Sequence, residues 1–331
     1  MELEMIIAEK TGKEIGKLTE DIDMDIGKEN DFEIIVPVSR WDAKKFAYGN
    51  RIFIPNSEYG GIIENWNSSG KEVKVKGITW RGLLYKAVIE PPSDSSHVIL
   101  KGEINNCIKK LLGNHFGSLF NVTNEQGISI NTWEVERYIR LGEELDKLLK
   151  EHRQKLQIQY NEPAGIEYGY VELSVVPIKD LSKEVEYSQE SKAQITVEDN
   201  RGGINHLICV GKGENEERIV LHLYTNKNGN IGEKQYFFTE DERADIYEYT
   251  SSELEKLKEN GIKKLEELKN KKTAKITEVQ DENFDIGDII SGYDHVTNTS
   301  VKKSIQSKVL KGSDNNFKIE YKVEEGTNGK H

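Results

Sequence analysis

The sequence predicts an α+β fold that is mainly β, with small β-barrel modules, an inserted α/β domain and one long amphipathic helix. Three observations support this prediction. Short apolar runs bounded by turn residues recur at intervals of about 8–12 residues near both ends of the chain, as in small barrels and sandwiches. Apolar residues at helical spacing occur in the middle of the chain. Residues 252–272 combine a leucine-rich face with a face of lysine and glutamate, which is typical of a long surface helix.

Residues 1–97 are predicted to form an N-terminal β-barrel module. Residues 71–77 alternate polar and apolar side chains, the pattern of a strand with one buried face. A short helix is expected at residues 80–84, and Pro91-Pro92 ends the module. The strands are expected at residues 31–36, 51–54, 61–66, 71–77 and 86–89.

Residues 98–180 are predicted to form the α/β insert domain. A first helix ends near Gly113, and a second is expected at about residues 142–152. Strands should follow at residues 155–160 and 168–176. The apolar face of the first helix consists of Ile104, Cys107, Ile108, Leu111 and Leu112.

The remaining chain is predicted to contain a β-rich region, the long helix and a second barrel. Residues 181–250 form the β-rich region, and residues 251–272 form the amphipathic helix, with Ser252 and Glu255 as a capping box. Residues 273–325 form a C-terminal β-barrel module, followed by a flexible tail at 326–331. The strands are expected at residues 193–197, 206–211, 217–224, 274–279, 288–290, 304–309 and 317–323.

Composition excludes several classes of protein. The 331 residues carry a formal net charge of −12, and such a surface repels the phosphates that a sequence-specific nucleic-acid binder must contact. The start Met1-Glu2-Leu3-Glu4 lacks the features of a secretory signal, and no apolar stretch approaches the roughly 20 residues of a membrane helix. We therefore expect a protein made in the cytoplasm, without membrane insertion. Cys107 and Cys209 are expected to be reduced and buried.

No pattern in the sequence predicts a metal or cofactor site. Zinc requires several ligands that converge with tetrahedral geometry. The histidines are scattered, and none lies in a His-x-x-x-His or Glu-x-x-His arrangement on a predicted helix. We therefore expect no metal and no cofactor. The histidines are His97, His115, His152, His206, His222, His295 and His331.

The sequence also predicts no catalytic site. Gly211-Lys212-Gly213 lacks the other residues of a phosphate-binding loop and is predicted to be a hairpin turn. Two groups of carboxylates could suggest a glycosidase, but the four tryptophans do not flank either group in sequence. Catalytic, cofactor-binding and metal-binding residues are therefore assigned as none, and the protein is predicted not to be an enzyme. The carboxylates are Asp281, Glu282, Asp285 and Asp288 in one group, and Glu240, Asp241, Glu242 and Asp245 in the other; the tryptophans are Trp41, Trp66, Trp80 and Trp133.

Two segments in the N-terminal part of the chain have distinctive residue patterns and follow each other in a fixed order. Residues 31–37 place an aromatic residue and an apolar run before a proline, as in an early strand. The hairpin expected at residues 61–77 leads into the spacing Gly77-x-Thr79-x-x-x-Leu83-Leu84 at a helix start.

Two later segments continue this order. Asn205 and Gly211 bracket a predicted strand, and Gly287-Asp288-Ile289-Ile290 opens the last predicted barrel. In order and spacing, the four segments resemble the tail hub proteins of siphoviruses and prophages, and more broadly the baseplate hubs of contractile tails. Thr79-Trp80-Arg81 stands where an arginine-serine pair is common in that family.

The resemblance implies a virion structural protein, the tail-tip or baseplate hub of a tailed phage, a prophage or a phage-tail-like particle such as a contractile injection system. Homotrimers would form a ring that joins the six-fold tail tube to the three-fold tip, with two barrel modules per chain. The partners would be other copies, the tail tube and distal tail proteins, and a tail spike or tip protein, while DNA would pass the lumen without specific binding. Parts of residues 60–77 and 304–323 are expected to pair or pack across subunits.

Two other classes of function stay open. A cell-surface or glycan-binding tail-tip module would need exposed aromatic side chains along a groove. A glycoside hydrolase or peptidase would need convergent acidic side chains with perturbed pKa values in a cleft.

Overall fold

The computed structural model describes residues 4–125, 127–162, 168–182, 186–188, 193–279 and 284–323. Two units are distinguished: unit 1 comprises residues 1–195, 276–293 and 302–324, and unit 2 comprises residues 196–275, 294–301 and 325–331. Strands outnumber helices throughout, which confirms the predicted fold class, α+β and mainly β. The flexible tail predicted at 326–331 lies outside the described residues.

The first part of unit 1 is a run of strands that ends in a short helix. The strand at residues 31–37 buries alternate side chains, namely Phe32, Ile34 and Val36. The elements are β1 (Ile6–Ala8), β2 (Glu14–Lys17), β3 (Asp21–Ile26), β4 (Asp31–Pro37), β5 (Arg51–Phe53), β6 (Gly60–Ser68), β7 (Glu72–Thr79) and α1 (Trp80–Leu84).

A mixed region follows in unit 1, with two helices that bury one face each. The elements are β8 (Ile99–Glu103), α2 (Ile104–Leu112), β9 (Phe120–Val122), β10 (Ser129–Glu134), α3 (Leu141–Glu151), β11 (Gln154–Asn161), β12 (Tyr170–Pro177) and β13 (Glu186–Ser188). Strands β11, β12 and β9 form a three-stranded sheet in that order, and β10 pairs with β8. Leucines from α3 and from β11 lie in the same hydrophobic core.

The C-terminal strands join the N-terminal ones in a single sheet. They are β20 (Ile289–Asp294), β21 (Thr299–Ser313) and β22 (Asn316–Val323). The order of the eleven-stranded sheet is β13-β20-β21-β3-β4-β7-β6-β5-β1-β2, with β22 also paired to β21. In the β21–β3 pair, Lys308 lies opposite Ile26 and Leu310 opposite Met24.

Pairing within the chain limits which strands can meet another subunit. Strand β7 pairs with β4 on one side and with β6 on the other. The cross-subunit pairing expected from residues 60–77 therefore cannot use the backbone of β7. Among the strands that the structure describes, β22 pairs only with β21, and none of them pairs with its second edge.

Unit 2 is a four-stranded sheet with one helix on one face. The elements in residues 193–279 are β14 (Ala193–Asn200), β15 (His206–Val210), β16 (Val220–Thr225), β17 (Ile231–Gly232), β18 (Ala244–Glu248), α4 (Leu254–Leu268) and β19 (Lys271–Val279). The sheet order is β17-β16-β15-β18, and β14 pairs with β19. The core under α4 contains Leu207, Cys209, Leu223, Leu257 and Leu265.

Three local predictions were wrong. The strand expected at 86–89 is reduced to a single bridge between Val88 and Arg140. Helix α4 is shorter than residues 252–272, because residues from Lys271 onward enter β19. The capping box does not form: Glu253 is the N-cap residue without a side-chain bond, and the Ser252 hydroxyl donates to the Glu253 carbonyl.

Both cysteines are free and buried, as predicted. Burial raises the pKa of the Cys209 thiol to about 11, so this thiol is inert at neutral pH. In the part of the chain that the structure describes, no helix has both the length and the apolar character to cross a bilayer.

Candidate functional site: a buried charge network

Six charged side chains from five separate chain segments meet inside unit 1. Three are cations and three are anions, so their formal charges balance. Their side chains are 2–7 % exposed, except for Asp285 at 20 %. Such burial is tolerated when the charges are paired and hydrogen-bonded. The cations are Arg81, Lys155 and Lys308, and the anions are Glu58, Asp285 and Asp288.

Arg81 enters the network from helix α1. Its Nε donates to Glu58 Oε1 at 2.7 Å, and a terminal nitrogen donates to the Leu156 carbonyl at 3.0 Å. Burial by itself would lower the pKa of Arg81, but the nearby Glu58 carboxylate raises the pKa above its ordinary value. Arg81 is therefore a permanent cation that links α1 to β11.

The position of the start of α1 is fixed by Thr79 and Gly82, which belong to the segment at residues 77–84 that resembles tail hub proteins. The Thr79 hydroxyl accepts a hydrogen bond from the Gly82 N–H at 3.1 Å and donates to the Asn30 carbonyl at 3.0 Å. A Cβ atom on Gly82 would lie 2.5 Å from the Asn30 carbonyl oxygen. The threonine cap and the glycine therefore fix the direction in which Arg81 points.

Lys308 enters the network from strand β21. Its Nζ donates to Glu58 Oε2 at 2.6 Å and to Asp285 Oδ1 at 2.8 Å. The same Nζ lies 5.6 Å from the ring centroid of Tyr59. Burial would lower the pKa of Lys308, but Glu58 and Asp285 raise it above its ordinary value. Lys308 thus links strand β21 to the loop between β5 and β6.

The third part of the network is the turn before β20. Asp288 Oδ1 accepts from Lys155 Nζ at 2.7 Å and from the Lys179 N–H at 3.0 Å, while its Oδ2 accepts from the Asp285 N–H at 3.1 Å. Gly287 has φ +91°, a conformation that favours glycine. The Gly287-Asp288 step noted in the sequence is therefore a turn that aims one carboxylate at Lys155.

Asp285 is an acidic group of the network with a shifted pKa. Burial would raise its pKa, but Lys308 and Lys155 outweigh burial and lower the pKa to about 2. A carboxylate that stays ionised between two ammonium groups is a poor proton donor, so the arrangement does not suit general acid catalysis. The arrangement suits a structural role, in which buried ion pairs connect distant parts of the chain.

The two carboxylate groups noted in the sequence have different surroundings. In the first, Asp285 and Asp288 belong to the network, whereas Asp281 and Glu282 lie outside the described residues. In the second, Glu242 bonds to a histidine, and the others lie at the surface.

The hairpin expected at Gly211-Lys212-Gly213 is present, with Ile219 N–H donating to the Lys212 carbonyl between β15 and β16.

A histidine pair in unit 2 was missed by the sequence-based reasoning. His206 Nε2 and His222 Nδ1 lie 2.8 Å apart, and His206 Nδ1 lies 2.5 Å from Glu242 Oε1. The signal was present, because Ile208 pairs with His222 across two predicted strands, so the histidines share a face of the sheet. In the described residues, no three His, Cys, Asp or Glu side chains converge as a metal site.

An open cavity of about 410 Å³ lies in unit 1. Its lining includes His97, His115 and Lys110 but a single carboxylate, Glu90. Hydrolysis of a glycosidic bond by the usual route requires two carboxylates across the substrate. This cavity therefore lacks the groups of that reaction.

Comparison with known proteins concerns the fold. No family model and no curated protein matches the sequence. A chain in a topological model of the phage p2 virion baseplate in its activated conformation aligns with 9 % identity and a TM-score of 0.52, over 99 % of this chain and 100 % of that chain. The 43 kDa tail protein of prophage MuSo2 from Shewanella oneidensis aligns with 13 % identity and a TM-score of 0.48, over 97 % and 98 % of the two chains. A tail protein from Neisseria meningitidis aligns with 14 % identity and a TM-score of 0.49, over 97 % and 96 %. The resemblance inferred from the sequence is thus confirmed at the level of the fold, and the chain has the fold of a phage baseplate protein.

Proposed function

We propose that the chain is a structural hub of the tail tip or baseplate in a phage-type tail, and that it acts by assembly rather than by catalysis. The observation that carries this proposal is the fold shared with a baseplate protein over essentially the whole length of both chains. Fold alone does not determine function. The proposal gains support from the charge network, because Asp285 stays ionised between two ammonium groups and is therefore a poor proton donor.

The proposed assembly is a homotrimeric ring that joins a six-fold tail tube to a three-fold tip. Its neighbours would be tube and distal tail proteins on one side and a spike or tip protein on the other. The edge of β22 with which no described strand pairs supports this arrangement, because an unpaired edge offers backbone groups to a neighbouring copy. The net charge of −12 supports a lumen through which DNA passes without binding.

Labelled particles test the location. A tagged copy of the chain, marked with gold in particles that carry it, should place the label at the tail tip in electron micrographs. Label on the head, or along the whole tube, would contradict the proposal.

A zymogram on bacterial cell walls should show no clearing by the purified chain, and clearing would favour the enzyme alternative.

The oligomeric state is tested by sedimentation of the purified chain over a range of concentrations. The expected species is three times the chain mass of 37.8 kDa. A stable dimer would contradict the ring, since a two-fold assembly cannot match a three-fold tip.

One observation favours glycan binding as a second candidate. Trp66 is 55 % exposed, and its ring meets Trp41 edge-on with centroids 5.5 Å apart. Exposed aromatic rings can stack on sugars. On a glycan array, the chain should then bind a defined glycan and lose that binding on Trp66→Ala, whereas an array without signal removes this candidate.

A further inference from the structure

Strand β18 forms one edge of the sheet in unit 2. It pairs in parallel with β15 on one side, and among the described strands none pairs with the other side. The N–H of Tyr249, just after the strand, donates to the Val210 carbonyl of β15. Because alternate residues of a parallel strand turn their backbone groups to opposite sides, the N–H groups of Ala244, Ile246 and Glu248 face away from β15.

The edge is held in place by a buried asparagine. Asn205 is 6 % exposed; its Nδ2 donates to the Asp241 carbonyl at 2.7 Å, and its Oδ1 accepts from the Arg243 N–H at 2.9 Å. The next residue, His206, bonds to Glu242. These contacts fix the chain that leads into β18, so the edge is preorganised for a partner.

The edge presents an apolar side chain among negative charges. Ile246 is 61 % exposed and lies opposite Ile208, on the sheet face away from α4. Residues 240–248 contain five carboxylates and one arginine, a net charge of −4. The Asp245 carboxylate accepts from the outward N–H of Ile246 at 2.8 Å. The Asp245 side chain therefore occupies an outward N–H of the edge and hinders non-specific strand pairing.

We propose that β18 is a docking edge for an extended, lysine- or arginine-rich segment of another protein, which adds a strand to the sheet of unit 2. Backbone hydrogen bonds would supply affinity, and the side chains beside the edge would supply selectivity. An incoming strand must displace Asp245 from the Ile246 N–H, and a cationic side chain then pairs with the released carboxylate. Two copies of the same edge would instead bring like charges together. This inference goes beyond the proposed hub function and does not depend on it.

A synthetic peptide of alternating lysine and valine serves as the probe for the full chain. Its fluorescence anisotropy should rise on binding, and the affinity should fall as salt is added, because the attraction is partly electrostatic. The matched peptide of alternating glutamate and valine should not bind. Equal binding of both peptides, or no binding of the lysine peptide, overturns the proposal.

Substitutions at the edge locate the binding. Ile246→Pro removes the outward N–H without removing a bond to β15, as edge strands tolerate, and should weaken binding by about tenfold or more. Asp245→Asn combined with Glu248→Gln should weaken it by about threefold to tenfold. Glu259→Gln, an exposed change on α4, is the charge control and should leave binding unchanged.

Circular dichroism separates loss of docking from loss of fold. If Ile246→Pro does not fold, the pair Asp245→Asn and Glu248→Gln against Glu259→Gln decides the matter. Binding that survives the edge changes, or that Glu259→Gln weakens equally, overturns the proposal. Sedimentation tests the other occupant: self-association that Ile246→Pro abolishes would assign the edge to a second copy and overturn it as well.

Discussion

Lys308 lies between two carboxylates inside unit 1, and its side chain is 7 % exposed. Lys308→Met would leave Glu58 with Arg81 alone and Asp285 with Lys155 alone. Removing one partner from a buried ion pair costs about 3–5 kcal/mol, so the free energy of unfolding should fall by about 3 kcal/mol. Urea denaturation measures this change.

Lys311 provides the control on the same strand. Its side chain is 46 % exposed and lies 3.4 Å from Glu320. Exposed ion pairs contribute about 0–1 kcal/mol, so Lys311→Met should change the free energy of unfolding by less than about 1 kcal/mol. Equal effects of the two substitutions would show that the network contributes no more than a surface pair.

Asp285 predicts how the stability of the protein depends on pH. Its pKa is lowered from 3.8 to about 2 in the folded state. The ionised form is therefore favoured by folding, so its stabilisation is complete above pH 4 and is lost as the pH falls through about 2. The shift corresponds to about 2 kcal/mol.

The measurement is urea denaturation of the protein and of Asp285→Asn at several pH values. The difference in free energy of unfolding between the two should shrink as the pH falls from neutral towards 2. A difference that stays constant over this range would mean that Asp285 titrates alike in the folded and unfolded chain.

At the scale of elements, Gly261 determines how closely α4 approaches its sheet. A Cβ atom there would lie 2.5 Å from Cys209 Sγ and 2.9 Å from Leu223 Cδ1. Alanine is favoured over glycine in a helix by about 1 kcal/mol, but overpacking typically costs about 1–3 kcal/mol. Gly261→Ala should therefore lower, not raise, the stability of unit 2 in thermal or urea unfolding.

A second substitution tests the cause. Cys209→Ala removes the nearest atom, so Gly261→Ala should cost less in that background, and a double-mutant cycle measures the coupling. Gly232→Ala is the control, because no atom lies within 4 Å of the added Cβ. The absence of coupling with Cys209 would place the clash elsewhere.

Two of the helices were easier to predict than strands β2 and β3. Helices α2 and α3 lie within a residue or two of their predicted positions, because the helical repeat of leucines is local in sequence. Strand β2 is exposed at every residue and has no alternation to detect. Strand β3 alternates aspartate with Ile22, Met24 and Ile26, so its signal was present and was overlooked.

At the scale of the whole molecule, the two units have separate hydrophobic cores. The core of unit 2 centres on five residues under α4, whereas the cores of unit 1 draw on the eleven-stranded sheet and on α2 and α3. Units with their own cores can unfold separately. We expect two transitions in calorimetry. Lys308→Met should lower the midpoint temperature of one transition, and Gly261→Ala should lower that of the other. A single transition moved by both substitutions would contradict this.

The sequence by itself determined the mainly β character, the amphipathic helices, the burial of both cysteines and the order of segments that resembles tail hubs. These features depend on periodicity, turn residues and composition, which are local properties. Only the tertiary structure decided that Glu58 and Lys308, 250 residues apart, share an ion pair, that β21 pairs with β3, and that His206 meets His222. Register and chain crossings bring such residues together, and the free energy that selects them comes from burying many side chains at once rather than from any local pattern.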